Sequence, residues 1–476
     1  MLQYLNSIKT PKELGEKFFV FTTSYFLSDV RNDKAKFYAL SDKDLQENPL
    51  CYSGIFLNLV MDGKLDEAWD LLKKVEKLSS VSLEIKLLYY GLFLVHPEIS
   101  WNQFTNIIKI LRKNNTPISN VALTCERPFL LNGLNDFTRI GPFLKRNKEQ
   151  FIEYGKFLYG EECSHFIYRL CLAEYEYQLN NIIEAELLVS QTIKEFDKKS
   201  KSRLLFVALY LQSKILLSQG KIVESASYIK YIKRYIKTDG LEVFSKNIDA
   251  VEVFYALHDA DYIKIQKWLS NSSPDEYGDF NMLDLYRYMI KIRCYIITNK
   301  STAVVALAEK LRPLLERGKR HMDLCELDIL IAISLYTSDK KKLALESFER
   351  ALKYVRRYNY FRIVADEGDI ALQILLDYIK LKGQSPFLLK LLEITRTMAI
   401  RNPLYLKPKQ INNETFSQTE IEILKLLEQG KNKQDISEYF LISINTVKYH
   451  MKKIYGKLNA NSPHQAVWNA KQLGII

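Results

Sequence analysis

The sequence predicts an all-α protein in which stacked helical hairpins precede a small C-terminal helical domain. Apolar residues recur at spacings of three and four through most of the chain, which is the period of an amphipathic helix. Short polar turns interrupt this pattern at a near-constant interval, and no segment shows the alternation expected of a strand. A chain of 476 residues is also too long for a single core, so two or more structural units are expected.

The body of the chain is predicted to be a solenoid, because five short turns follow one another at steps of 40, 40, 39 and 40 residues. Apolar helical stretches flank the turns, for example residues 204–217 and 222–236. The turns are Asn180-Asn181-Ile182, Gly220-Lys221-Ile222, Ala260-Asp261-Tyr262, Asn299-Lys300-Ser301 and Asp339-Lys340-Lys341. An earlier copy from Met61 to Ala68 has a tetratricopeptide-like Gly-x-x-x-Glu-Ala pattern, although forty residues exceed that family's usual repeat of about 34.

The last sixty residues predict a helix-turn-helix domain of short helices. Gly430 follows the first helix, where a left-handed C-cap is wanted. The apolar positions of the first two helices are Ile421, Leu424, Leu427, Ile436 and Phe440. Ser443 is a natural N-cap for a third helix. That helix carries an apolar stripe at spacings of three and four, formed by Val447, Met451, Ile454 and Leu458.

The opposite face of the third helix is basic, since Ser443 to Leu458 contains four lysines and no acidic residue. A helix in the DNA major groove needs such a face, because the phosphates supply the partner charges. We therefore predict a DNA-binding surface made of Asn445, Thr446, Lys448, Tyr449, Lys452, Lys453 and Lys457. Lys448, Tyr449 and Lys452 are expected at base edges, and the other four at phosphates.

The segment from Phe416 to Ile476 resembles the LuxR-type family of helix-turn-helix regulators. The motifs that carry the resemblance are Ser417 with Glu420, Asp435-Ile436-Ser437, the full run from Ile442 to His450, Lys457-Leu458, and Leu473-Gly474-Ile475-Ile476. Two departures, Lys433 for the usual Asn and Pro463 for the usual Arg, concern single backbone contacts rather than the fold. The resemblance implies a regulator of transcription that binds double-stranded DNA and works with RNA polymerase.

The last predicted helix, Ser462 to Leu473, is the one through which LuxR-type domains commonly pair. Its Ala466 and Ala470 would allow close approach of a second copy, and an exposed Trp468 would be a good anchor. The resemblance therefore implies a homodimer on DNA. The alternative is that Trp468 packs on its own domain.

The body resembles that of large MalT-like regulators, in which a tetratricopeptide-like superhelix directly precedes a LuxR-type domain. The most specific piece is Tyr360-Phe361 followed by Asp366-Glu367-Gly368, which we interpret as a capped turn between helices rather than a catalytic pair. The ATPase module of those proteins has no counterpart, because the chain lacks the Gly-x-x-x-x-Gly-Lys-Ser/Thr loop that cradles phosphates. We therefore expect either a short relative or a fragment of a longer regulator.

Composition argues against other functions. Residues 401–476 hold 11 Lys and Arg against 6 Asp and Glu, so much of the net charge of +12 is concentrated there. The cysteines show no metal-ligand spacing and are expected to be buried free thiols in a reducing cytoplasm: Cys51, Cys125, Cys163, Cys171, Cys294 and Cys325. The six His stand apart, and His450 is expected to be structural. We therefore expect no catalytic residues, metal, cofactor or membrane span, and hence no enzyme.

One segment, residues 116–143, breaks the helical rhythm with several Pro and Gly. Long irregular segments inside a repeat array are often functional, and this one mixes polar and aromatic side chains that suit a small polar ligand. The candidate effector contacts are Arg127, Phe129, Asn132, Asn135, Asp136 and Phe137. The alternative is an ordinary connection between repeats.

The predicted organisation is a helical-repeat sensor or interaction domain at 1–400, a linker at 401–415 and a LuxR-type helix-turn-helix at 416–476. The predicted function is sequence-specific DNA-binding regulation of transcription, with the body sensing a small-molecule effector or binding a protein partner. The alternative is a repeat scaffold that acts mainly through protein–protein contacts. The operator, the effector and the sign of regulation do not follow from the sequence.

Overall fold

The computed structural model describes residues 10–13, 33–78, 105–106, 109–110, 112–113, 141–159, 161–195, 203–238, 245–317, 320–402, 405–406, 416–458, 460–472 and 475–476. Every regular element within these ranges is a helix, as the sequence predicts. The chain divides into two compact units, Met1–Leu406 and Lys407–Ile476, which are called the body and the C-terminal domain.

Among its described residues, the body has several separate helices followed by a series of helical hairpins. The described helices before the repeats are α1 (Lys34–Tyr38), α2 (Asp42–Glu47), α3 (Leu50–Met61), α4 (Leu65–Glu76), α5 (Gly141–Arg146) and α6 (Lys148–Tyr159). The five hairpins are α7 (Glu161–Gln178) with α8 (Ile182–Glu195), α9 (Arg203–Ser218) with α10 (Ile222–Thr238), α11 (Ser245–His258) with α12 (Tyr262–Asn271), α13 (Leu285–Ile297) with α14 (Ser301–Arg317), and α15 (His321–Thr337) with α16 (Lys341–Tyr358). The helices α17 (Phe361–Ala365), α18 (Gly368–Lys382) and α19 (Pro386–Arg401) end the body, and a 3₁₀ turn at Met282–Asp284 precedes α13.

All five predicted turns are confirmed, and they share one backbone geometry. Each has one residue with a left-handed backbone: Asn180 (φ 66°), Gly220 (80°), Ala260 (52°), Asn299 (57°) and Asp339 (59°). The next residue donates its N–H to the carbonyl five residues back, as in Lys300 to Tyr295 at 2.9 Å and Lys340 to Leu335 at 2.9 Å. This is the Schellman C-cap, which stops the first helix and turns the chain into the second.

A separate hairpin before these five, α3 and α4, uses the same cap, with Gly63 at φ 72° and a bond from Lys64 N–H to the Leu59 carbonyl of 2.9 Å. Glycine is required there for a second reason. A Cβ on Gly63 would lie 2.7 Å from Cδ2 of Leu314, so a side chain would collide with the core of the body.

The hairpins stack so that their first helices meet. Helix α7 contacts α9, α11 contacts α13, and α13 contacts α15, while each second helix fills the space between successive first helices. The first helices are consequently the more buried: twelve of the thirteen residues of α13 are buried, including the three cations Arg287, Lys291 and Arg293. The four cysteines whose side chains are described, Cys51, Cys171, Cys294 and Cys325, are buried free thiols, as expected.

A buried charge cluster joins α13 to the end of the body. The Arg293 guanidinium donates to Glu367, to Glu326 at 2.7 Å and to the Tyr405 hydroxyl at 2.9 Å. The side chains of Arg293 and Glu367 are 6% and 4% exposed. Burial by itself lowers the pKa of Arg293, but Glu367 and the other polar neighbours raise it by more than burial lowers it. The pKa therefore lies well above its ordinary value, and the guanidinium stays charged.

The predicted turn at Asp366-Glu367-Gly368 is present between α17 and α18, with Gly368 at φ 70°. Its two carboxylates also hold distant helices together. Asp366 accepts a bond of 2.7 Å from the Tyr177 hydroxyl of α7 and pairs with Arg362, while Glu367 pairs with Arg293. The turn therefore ties the first hairpin of the repeat to its end.

The body extends past α19. Tyr405 is 1% exposed and Leu406 is fully buried in the body's core. The Tyr405 ring stacks on His258 with centroids 4.2 Å apart and an interplanar angle of 15°. Burial lowers the pKa of His258 to about 3, so this ring is neutral at physiological pH. The body thus continues to Leu406, beyond the predicted linker start at residue 401.

The part of the C-terminal domain that the structure describes has four helices, as predicted: α20 (Gln418–Glu428), α21 (Lys433–Phe440), α22 (Ile444–Leu458) and α23 (Pro463–Gln472). Gly430 has φ 78°, which confirms the left-handed cap after α20. The predicted stripe on α22 is confirmed as buried. The core of α20 differs in detail, because Ile423 and Leu424 are fully buried whereas Ile421 and Leu427 are only partly so.

An ion pair lies within this core. Lys457 Nζ on α22 is 2.7 Å from Glu420 Oε2 on α20, and the two side chains are 9% and 4% exposed. Glu420 also closes a capping box with Ser417. Burial alone raises the pKa of Glu420, but the bonds from Lys457 and Ser417 outweigh it and leave the pKa lowered.

Ala260 is the one alanine among the five left-handed turn residues. A non-glycine residue in the left-handed conformation destabilises the folded state by about 1–2 kcal/mol. Glycine removes this strain, but part of the gain is offset because glycine has greater conformational freedom in the unfolded chain. We expect Ala260→Gly to raise the free energy of unfolding by about 0.5–1 kcal/mol in urea denaturation. The control Ala303→Gly, inside α14, should lower it by about 0.5–1 kcal/mol. A loss of stability in Ala260→Gly would contradict the turn geometry.

Glu420→Gln tests the buried pair. The variant leaves Lys457 without its counter-charge, so residues 407–476 should lose about 1–3 kcal/mol of unfolding free energy at pH 7. Because the folded pKa of Glu420 is lowered, its contribution is complete above the unfolded value near 4.5 and is lost as pH falls through the folded pKa. The difference between wild type and variant should therefore shrink in acid, as followed by Trp468 fluorescence.

The matched control is Glu438→Gln, which makes the same change on the exposed side of α21. Its effect should stay within about 0.5 kcal/mol at every pH. A Glu420→Gln effect as small as that of the control would mean that the pair does not stabilise the domain.

Candidate nucleic-acid interface

Helix α22 is positioned by a tight turn from α21 and by its own N-cap. Leu441 has φ 53°, and Ile442 donates its N–H to the Ser437 carbonyl at 3.1 Å. Ser443 then accepts a hydrogen bond of 3.2 Å from the Thr446 N–H, which confirms Ser443 as the N-cap. The two helices are therefore joined by a short, fixed turn, which is the arrangement of a helix-turn-helix.

The outer face of α22 is exposed and positive. Asn445, Lys448, Tyr449, Lys452 and Lys453 are all exposed, and the Tyr449 side chain is 56% exposed. The Lys453 ammonium lies 4.9 Å from the centre of the Tyr449 ring, so a cation–π contact links these two predicted contact residues. Buried Val447, Met451, Ile454 and Leu458 anchor the opposite face. The structure thus gathers five of the seven predicted residues on one accessible surface.

Thr446 and Lys457 do not lie on that exposed surface in the same way. Thr446 is partly buried, and its hydroxyl lies 2.9 Å from that of Ser443, so it contributes to the cap at the helix start. Lys457 does not lie where the sequence analysis expected it, on the DNA-facing surface. Its ammonium points inward to Glu420 and lies 5.2 Å from the Phe416 ring centre, so it holds α22 on α20 instead of reaching a phosphate.

The sequence pattern could not separate Lys457 from the other lysines. Lys457 lies near the end of the helix, and only the packing of α20 against α22 places the Glu420 carboxylate beside it. A signal was present, because Glu420 is the acidic residue of the capping box and a buried carboxylate requires a partner.

The last helix also differs from the prediction. Ala466 and Ala470 are fully buried in the core of the domain, and therefore they cannot provide the close approach of a second copy. Trp468 is partly buried and keeps an accessible part. Any pairing through α23 would have to use Trp468 and its exposed neighbours rather than the alanines.

The candidate effector contacts Arg127, Phe129, Asn132, Asn135, Asp136 and Phe137 lie outside the described residues. Within the described ranges, no group of three or more His, Cys, Asp and Glu side chains is arranged to hold a metal ion. None of the described helices combines the length and the apolar character needed to cross a bilayer.

Two family models match the chain. Residues 149–380 match the MalT-like TPR region, and this match covers the five hairpins, α17 and most of α18. Residues 414–470 match the bacterial regulatory proteins of the luxR family. The two matches are separated by residues 381–413, and Leu406, where the body ends, lies in this interval.

Similar curated proteins match mainly through short segments. The HTH-type transcriptional regulator AlkS of Alcanivorax borkumensis is 34% identical over 71 residues, which cover 15% of this chain and 8% of AlkS. The uncharacterized transcriptional regulatory protein YxjL of Bacillus subtilis is 38% identical over 63 residues, 13% of this chain and 29% of YxjL. The regulatory protein SdiA of Escherichia coli is 32% identical over 103 residues, 22% of this chain and 40% of SdiA.

The matched segments span well under half the length of each relative. The names of all three relatives describe regulatory proteins. The two family models agree with the hairpin series of the body and with the helix-turn-helix geometry of α20–α23. The chain therefore carries a MalT-like TPR region followed by a C-terminal DNA-binding domain of the luxR family of bacterial regulatory proteins.

Proposed function

We propose that this protein is a sequence-specific DNA-binding regulator of transcription in which α22 enters the major groove. The observation that carries the proposal is the exposed face of α22, which has three lysines and no acidic residue. This face lies on a helix that is fixed from behind by a buried apolar stripe. Such a face is matched by DNA phosphates and by few other partners.

Position along the helix suggests different roles for the exposed residues. Lys448 and Tyr449 are neighbours in the middle of α22, and Lys452 lies about one helical turn further along. These three residues are proposed to reach base edges. Asn445, Thr446 and Lys453 are proposed to contact phosphates, because polar side chains near a helix start can bond backbone oxygens. Lys457 is left out of the surface because it pairs with Glu420.

The body is proposed to regulate the C-terminal domain. A DNA reader of this type needs only residues 416–476, yet 415 residues precede them. A helical repeat offers a large binding surface, so we propose that a small effector or a protein binds there and changes operator affinity. RNA polymerase is the proposed partner on DNA, and the cytoplasm is the proposed location. The alternative is a scaffold whose body binds proteins without affecting the reader.

Substitutions on α22 should separate the two kinds of contact. On a site selected from random DNA by the whole chain, Lys452→Ala should cost about 1–3 kcal/mol and relax the preference at one position. Lys453→Ala should weaken binding to all sequences equally and reduce the slope against salt by about one ion. Binding is measured by fluorescence anisotropy at several salt concentrations.

Lys425→Ala on α20 is the matched control, because it removes an exposed lysine away from α22. It should leave both affinity and sequence preference unchanged. If Lys448→Ala and Lys452→Ala behave like this control, α22 is not the reading helix.

The same titrations give the number of chains on each DNA site. Two chains on each site would support pairing through α23, and one chain would contradict it.

The gating proposal predicts that the whole chain and residues 407–476 differ in their affinity for the selected site. We expect a difference of at least fivefold, because typical coupling energies are about 1–3 kcal/mol. Small molecules extracted from cells should change the affinity of the whole chain only. Equal affinities in every condition would mean that the body does not gate DNA binding, and the scaffold alternative would then be the better account.

A further inference from the structure

A cavity of about 80 Å³ lies where the first helices of the five hairpins converge. Each of these helices contributes to its wall, and so do the Asp366-Glu367 turn and Tyr405. A water needs about 10–15 Å³ of such space, so the cavity can hold a small organic molecule in place of several waters. The cavity lies wholly within the body and far in sequence from residues 127–137.

The wall of this cavity has buried hydrogen-bond acceptors without partners. Glu367 and Gln178, 3% and 4% exposed, each carry one buried oxygen, Oε2 and Oε1, that has no hydrogen-bond partner among the described residues. The Arg293 guanidinium, in contrast, is already engaged by Glu367, Glu326, Tyr405 and the Met289 carbonyl. A buried acceptor without a partner destabilises the protein, so a ligand that donates hydrogen bonds would be stabilised there.

The carboxylates on the wall are paired, so they do not invite an anion. The lining includes Glu326, Asp366 and Glu367 with the cations Lys214 and Arg293, and Asp366 is also paired with Arg362, which is not part of the lining. Lys214 lies near the Tyr177 ring, whose centre is 4.9 Å from its ammonium. An anion would therefore meet three carboxylates and a guanidinium whose donors are occupied.

Four aromatic rings also line the cavity, beside the aliphatic side chains of Ile290, Met322 and Ile363. Tyr210 and Tyr286 meet edge to face with centroids 6.2 Å apart, and the other two rings are those of Phe254 and Tyr405. Aromatic faces attract cations through their quadrupole, most strongly where water is excluded. Spare acceptors and aromatic rings together describe a receptor for an ammonium group.

We propose that this cavity binds a small organic ammonium ion, held by Glu367 and Gln178 against the tyrosine rings, and that it is the effector site of the body. The second part rests on the regulatory function proposed above. Tyr405 makes the connection, because it lines the cavity and stands two residues before the start of the C-terminal domain. A ligand in the cavity would therefore touch the last anchored segment of the body.

The test uses the whole chain and three four-carbon probes that differ only in their end groups: 1,4-diaminobutane, 1,4-butanediol and succinate. Isothermal titration calorimetry should show binding of the diamine at least tenfold tighter than that of the diol, and no binding of succinate. Equal affinity for diamine and diol would overturn the ammonium assignment. Tighter binding of succinate, or no binding of any probe, would overturn it as well.

Substitutions of the residues that line the cavity test whether the diamine binds there. Glu367→Gln keeps the shape of the side chain and removes its charge, so it should weaken diamine binding at least tenfold. Glu346→Gln makes the same change on the exposed surface of α16 and should have no effect. Because Glu367 also pairs with buried Arg293, Gln178→Met provides a second variant that leaves that pair intact. It should weaken diamine binding several-fold, and unchanged binding in a folded Gln178→Met protein would exclude this cavity.

Operator affinity, measured in the same samples, separates this inference from the proposed function. Diamine binding that shifts operator affinity of the whole chain supports both. Diamine binding in the cavity with unchanged operator affinity overturns the effector assignment while the DNA-reading function stands. Loss of DNA binding in the Lys448 and Lys452 variants with intact diamine binding concerns only the reader.

Discussion

The architecture of the body depends on one backbone constraint, the left-handed residue that ends the first helix of every hairpin. This residue lets the following N–H bond the carbonyl five positions back, so the helix stops and the chain reverses in the space of three residues. Because the same cap recurs at a step of about forty residues, successive hairpins repeat the same geometry. The first helices therefore converge on one side, where the charge cluster and the cavity lie.

The same cap shapes the C-terminal domain at two places. Gly430 ends α20, and Leu441 ends α21 with φ 53° although it is not a glycine and its side chain is 91% exposed. A non-glycine residue in this conformation carries a cost of about 1–2 kcal/mol. The turn that Leu441 forms sets the angle between α21 and α22. It therefore also sets the direction in which Lys448 and Lys452 face.

Buried ion pairs fix positions in both units. Removing charges from water is expensive, and a buried pair stabilises a fold only when geometry and further hydrogen bonds compensate. Arg293 meets this condition with Glu367, Glu326 and Tyr405, and Lys457 meets it with Glu420 and the capping box. Mispairing such groups would leave a charge buried without a partner, so each pair selects one arrangement of its helices. Arg293 in this way holds the end of the body, and Lys457 holds the reading helix.

The sequence by itself determined the elements and their order. Apolar spacing located the helices, five polar turns at a fixed step located the hairpins, and the one-signed face of α22 identified the candidate DNA surface, because these signals are local. Only the tertiary structure decided which lysine faces solvent, since the Glu420 carboxylate that turns Lys457 inward lies 37 residues away. Likewise, Arg293 lies 74 residues from Glu367 and 112 from Tyr405, so no local pattern could bring these groups to one cavity.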